Sequence, residues 1–238
     1  MTQQEINQAC HRAFGSLDNK ELKNALDALQ GLISGNRIFT FQDRLNEIQD
    51  TYRNMLRYRA EGAKDPMQEH IYKTLQTQAY ELTDDIQRSL LHKESSLSYY
   101  IHLRNTEMSI YPPYSEVNSQ LKIKSELENH AGYEKDLIDL FNRIWLSNAL
   151  SISESEEIKE VIADRYLPYQ VGCQIVSALT LGLQTMFDIN KIMLLFDAAS
   201  NANNEIRIRA YIGLLFTFYI YRKRITLYSS IYDRLGIL

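Results

Sequence analysis

Residues 205–221 read EIRIRAYIGLLFTFYIY. Ile206, Ala210, Gly213 and Leu214 fall in an I-x3-A-x2-G-L pattern, the spacing of one helical face. Thirty-five residues earlier, PYQVGCQIVSALTLGL at 168–183 sets Val171, Ile175, Ala178 and Leu179 at the same spacing. Each stretch follows a shorter helical segment. A repeat of this length marks stacked helix pairs, in which each unit buries its apolar face only against a neighbour. The 205–221 helix carries a second apolar face, with Ile208, Tyr211, Ile212 and Leu215. A helix apolar all round is covered on several sides, so this one is expected to be the inner member of a stack.

The flanking segments fit that organisation. Ser153-x-x-Glu156 predicts a capping box ahead of Ile158, Val161 and Ile162. Pro168 opens the helix that carries the first half of the repeat. Asp188 is placed to cap a short helix with Ile192, Leu195 and Phe196, and NANN at 201–204 separates it from the next. After residue 222 a further short helix is expected at 224–235, with Ile225, Leu227, Tyr228 and Ile231. It reads as half a unit. Either the chain is the front part of a longer protein, or its final face meets a partner, including another copy of itself.

The N-terminal third also reads as helix pairs. Ile6, Ala9, Cys10, Ala13 and Phe14 line one helix, and Leu22, Ala25, Leu26, Leu29 and Ile33 a second, with Asp18 and Glu21 as a capping box. Two longer helices follow, on Phe41, Leu45, Ile48, Tyr52 and Met55, and on Ile71, Leu75, Ala79, Leu82 and Ile86. Asp65 is the expected N-cap of the second, with Pro66 at its first position. YPPY at 111–114 stops any helix. The division between an N-terminal lobe, 1–110, and a C-terminal lobe, 111–238, is therefore placed there. A polar helix at 115–130 and a strong one at 134–149, with Leu137, Phe141, Ile144 and Trp145 on one face, open the second lobe.

EIRIRAYIGLL at 205–215 resembles the second helix of a HEAT-type repeat, which often reads V-R-x-x-A-x-x-A-L. Ile206, Arg207, Ala210, Gly213 and Leu214 stand in those places. The earlier unit departs from the pattern, with Gly172 in the arginine position and Ile175 in the alanine position. The resemblance covers about residues 154–222. It implies an all-α fold of antiparallel helix pairs wound into a right-handed α-α superhelix, an α-solenoid, across the C-terminal half. It implies a scaffold with a concave binding face and no particular ligand.

Composition agrees with such a fold. The 238 residues contain nine glycines and four prolines, few for a turn-rich sheet protein. The formal net charge is −4, yet residues 166–238 hold seven basic and four acidic side chains, a local balance of +3. Cys10 and Cys173 each sit in an apolar helical pattern and read as small buried hydrophobes rather than a disulfide framework. The N-terminus shows no secretory pattern, and the most apolar run, Tyr211–Tyr221, falls short of the ~20 residues that cross a bilayer. A cytoplasmic setting without membrane insertion is expected.

Motifs for chemistry are absent. No G-x-x-x-x-G-K or G-x-G-x-x-G occurs, so no backbone cradle for a phosphate is written here. His11, His70, His92, His102 and His130 form neither H-E-x-x-H nor E-x-x-H. Glu126 with His130, and Asp136 or Asp139 with nearby bases, read as a solvated polar face. No G-x-S-x-G elbow is present. A non-enzymatic protein without cofactor or metal is expected.

Two surfaces are expected to bind. Arg207, Arg209, Tyr219, Arg222, Lys223 and Arg224 make a basic and aromatic segment that continues through Tyr228, Tyr232 and Arg234. Gln170, Gln174, Ser177 and Gln184 share a polar face one unit earlier, and the 35-residue offset aligns Gln174 with Arg209. Uncharged amides among aromatics suit a protein or peptide partner. The alternative is a helical-repeat protein that holds nucleic acid on the 205–234 segment, with bases meeting phosphates and tyrosines stacking on nucleobases.

Overall fold

The computed structural model describes residues 2–62, 66–108, 112–126 and 130–236. Among these the chain is all-α, with packed helix pairs and no strand. No helix among them is long and apolar enough to cross a membrane. The chain divides into two compact units, 1–101 and 102–238, where the sequence placed its division at 110/111.

In the first unit α1 (Gln3–Asp18) and α2 (Leu22–Asn36) form a hairpin, and α3 (Gln42–Ala60) and α4 (Gln68–Glu94) form another. α4 packs on α1, α2 and α3. Gln76 donates to the Leu17 carbonyl at 2.7 Å, and Gln87 donates to Asn7 at 3.1 Å. The numbering runs in opposite senses, so α1 and α4 are antiparallel. Ile6, Cys10 and Ala13 of α1, Leu26 and Leu29 of α2, and Leu82 and Ile86 of α4 are buried. Two local expectations change. Asp18 does not cap α2: it ends α1 and accepts the Tyr80 hydroxyl at 2.7 Å, while α2 starts at Leu22 without a side-chain cap. Pro66 lies in the turn ahead of α4, not in its first position, and Asp65 lies outside the described residues.

The second unit holds α6 (Tyr114–Glu126), α7 (His130–Leu146), α8 (Ile152–Ala163), α9 (Tyr169–Thr185), α10 (Ile189–Ala199), α11 (Asn204–Tyr221) and α12 (Ser229–Leu235); α5 (Ser98–Met108) spans the division. Tyr111, the first residue of YPPY, lies outside the described residues, and Pro113 immediately precedes α6. The helices stand in two rows: α6 packs on α8 and α8 on α10, while α7 packs on α9 and α9 on α11.

The contacts within each row keep register. Gly172 lies against Ile206, Gly213 against Thr180, and the Tyr221 hydroxyl donates to the Leu183 carbonyl at 2.7 Å. Numbering rises together on both helices, so α9 and α11 run parallel. In the other row Asn190 donates to the Leu150 carbonyl, Lys159 pairs with Asp197 at 3.4 Å, and Asn201 donates to the Ile162 carbonyl. α8 and α10 are thus parallel as well. Ser115 against Glu157, and Asn118 with Lys122 against Asp164, give α6 the same direction as α8. Three helix pairs are stacked in one orientation, with Ile158, Val171, Ile175, Leu179, Ile192, Leu195, Ile206, Ala210 and Leu214 in a continuous core.

Caps fix where these helices start. Asp188 accepts the Asn190 and Lys191 amides, as its position in the sequence predicted. The capping box of α8 is Ser151 with Glu154, two residues before the expected Ser153 and Glu156. The run SISESEE offers both registers. The choice is made at Leu150, whose amide donates to Asp188 at 2.9 Å and whose carbonyl accepts Asn190.

Candidate interaction surface

α11 is where sequence and structure part. Its Ile206, Ala210, Gly213, Leu214 and Thr217 are buried against α9 and α10. The opposite side is not covered. Ile208, Tyr211, Ile212, Leu215, Phe216, Tyr219 and Ile220 are exposed, Leu215 at 69% and Tyr219 at 73%. The expectation of an inner helix shielded on several sides is therefore corrected: one side is shielded and the other faces solvent.

The reason lies in the route of the chain after α11. A short 3-10 turn at Ile225–Leu227 and then α12 return toward α10. Ile225 and Ile231 are buried, the Tyr228 ring packs on Phe187 at 5.0 Å, and Arg234 pairs with Asp197 on α10. Asp197 also holds Lys159 of α8, so charge ties α8, α10 and α12 together. The row of first helices continues to α12. The row of second helices reaches α11, and among the described residues of this unit no helix lies beyond it.

The basic segment is split by the same fold. Arg224 is buried, 4% exposed, with its guanidinium 4.1 Å from the Phe187 ring centroid. Its charge is spent inside the unit. Arg207 is half-buried and donates to the Asn201 carbonyl and to Asn204, clamping the α10–α11 connection. Arg209 is exposed and leans on α9 at Cys173. Burial pushes the Cys173 thiol up, and the Arg209 guanidinium beside it pulls the other way without cancelling the rise. Arg222 stays exposed, 5.9 Å from the Tyr219 ring centroid, and Lys223 is exposed as well. Arg209, Tyr219, Arg222 and Lys223 thus present their side chains to solvent; Arg207 and Arg224 largely do not.

On α9, Gln170, Gln174 and Gln184 are exposed, and Ser177 is half-buried with its hydroxyl donating to the Cys173 carbonyl. Arg209 interacts with Cys173, the residue next to Gln174 in α9. Arg209 lies on the α9 side of α11, at Cys173, whereas Ile208 and Leu215 are exposed to solvent.

The apolar face is the part that sequence reading misassigned. Ile208, Tyr211, Ile212 and Leu215 were visible as a second face, but periodicity cannot tell an apolar face that is covered from one that is not. Its continuation as Glu205, Ile208, Ile212, Leu215, Tyr219 and Arg222, in steps of 3, 4, 3, 4 and 3, is a seam with a charge at each end.

Elsewhere the unit at 1–101 has a cleft of about 180 Å3 between the ends of α3 and α4, lined by Met55, Tyr58, Arg59 and Ile71 among others. Among the described residues no three His, Cys, Asp or Glu side chains converge as metal ligands. Asp136 pairs with Lys124 at 2.6 Å; the side chains of Glu126 and His130 lie outside the described residues. No family model, no curated protein and no solved structure matches this chain.

Proposed function

We propose that this chain is a non-enzymatic interaction module, a short right-handed α-solenoid of HEAT-like units that docks a protein along α11. The observation that carries the reading is the exposed apolar side of α11. Single exposed apolar residues are ordinary, but a contiguous patch beyond a few hundred Å2 on one element marks a contact surface. The 3 and 4 residue steps along that side suit an apolar helix laid lengthwise at a shallow angle. The in-register stacking of three helix pairs supports the solenoid part of the reading, because each added second helix then has a fixed place beside the last.

The test is site-specific photo-crosslinking in the intact chain. A photoreactive residue at Leu215 or Ile212 should give a discrete protein adduct, and the same residue at Glu160, exposed on α8, should not. Equal labelling at all three positions, or none at positions 212 and 215, overturns the docking face.

A further inference from the structure

We infer that the protein docked on α11 is a second copy of this chain, with the two α11 helices antiparallel about a two-fold axis. The inference rests on the reading of α11 as a docking face and goes on to name its occupant. A two-fold interface needs a surface complementary to itself. The α11 seam has that property in one register only. With the axis between Ile212 and Leu215, the layers pair Ile212 with Leu215 of the second copy, Ile208 with Tyr219, and Glu205 with Arg222. Each layer occurs twice by symmetry. Large apolar groups meet in all four central layers, and opposite charges close both ends.

Charge supports the antiparallel sense. Glu205 opens α11 and Arg222 follows its last residue, both exposed, and neither has an ion-pair partner among the described residues of its own chain. A parallel pairing would set Glu205 on Glu205 and Arg222 on Arg222. The antiparallel one also places the positive end of each helix dipole by the negative end of the other.

Area supports a dimer of ordinary size. With about 200 Å2 for a whole large side chain, the exposed fractions of the seven apolar residues from Ile208 to Ile220 come to roughly 700 Å2. A standard interface takes about 800 Å2 from each partner. Glu205 and Arg222 at the two ends of the seam add to that apolar area.

The experiment is sedimentation equilibrium of the intact chain, with three variants and the crosslinking at position 215. Wild type should show a reversible dimer with a Kd in the micromolar range or tighter. Leu215→Glu should be monomeric at the same concentrations and should melt where the wild type melts once diluted to monomer, because Leu215 is exposed in the single chain. Glu205→Arg and Arg222→Glu should each weaken dimerisation roughly tenfold by setting two like-charge pairs together. The doubly reversed chain should return to within about threefold of wild type, since both end pairs are again opposite. A wild-type chain that stays monomeric while position 215 crosslinks to a different protein overturns the second copy and leaves the docking face standing. A monomer without any adduct overturns both. A dimer indifferent to Leu215→Glu, or one that the double reversal fails to restore, overturns the antiparallel pairing.

Discussion

Gly213 shows how closely single residues set the stacking of α9 on α11. A methyl group there would meet the Thr180 hydroxyl and come within 3.2 Å of Leu195. The hydroxyl is not free to swing aside, because it donates to the Val176 carbonyl at 2.8 Å. Gly213→Ala should therefore destabilise the chain by about 1–3 kcal/mol in urea denaturation. Gly31 in α2 has open space around it, and Gly31→Ala should stabilise by roughly 0.5–1 kcal/mol through helix propensity. Asp164 is a second residue with an outsized role. Burial raises its pKa, but the Lys122 ammonium, the Tyr166 amide and Asn118 outweigh it and hold the carboxyl below the usual carboxylate range. The folded value is depressed, so the stabilisation is fully present above the unfolded carboxylate pKa. It is lost as pH falls through the depressed folded value. Asp164→Asn should cost about 1–2 kcal/mol at neutral pH, measured by urea denaturation. The difference from wild type should close in acid; an unchanged difference there would count against the ion pair with Lys122.

At the scale of elements, caps and connections decide more than propensity does. Asp188 serves two elements at once: it caps α10 through the Asn190 and Lys191 amides and takes the Leu150 amide that leads into α8. Its side chain is buried. Asp188→Ala should leave three donors without a partner and cost about 2–4 kcal/mol. Ser151→Ala removes one exposed capping bond of α8 and should cost only about 1 kcal/mol. Thermal unfolding of the two variants ranks them, and equal losses would mean that the Leu150 junction contributes nothing. The sequence named Asp188 correctly because an isolated Asp before an apolar run has one role there. It misplaced the α8 box because two Ser-x-x-Glu registers overlap, and only the tie from Leu150 to Asp188 separates them.

Over the whole molecule, two units with separate cores lead to a prediction about cooperativity. Trp145 is the single tryptophan, and it lies in the unit at 102–238. Its fluorescence reports that unit alone, while far-ultraviolet circular dichroism reports all helices. Leu29 is fully buried in the first unit and Leu179 in the second. Leu29→Ala should lower the dichroism midpoint and leave the fluorescence midpoint nearly unchanged; Leu179→Ala should move the fluorescence. Coincident shifts for both variants would show one cooperative body.

What the sequence determined by itself is local and periodic. Apolar residues at helical spacing set the helices. The 35-residue echo between Val171–Leu179 and Ile206–Leu214 set two of the stacked pairs, because matching faces at a fixed offset can bury each other only side by side. Tertiary structure alone decided which faces stay open. Ile208, Ile212 and Leu215 are as apolar as Ile206 and Ala210, and no pattern within α11 ranks them. Their exposure follows from the return of α12 to α10 through Ile231 and the Arg234–Asp197 pair, contacts between residues far apart in the chain. Arg224 was withdrawn from the basic surface for the same reason, since only the folded turn places it over Phe187.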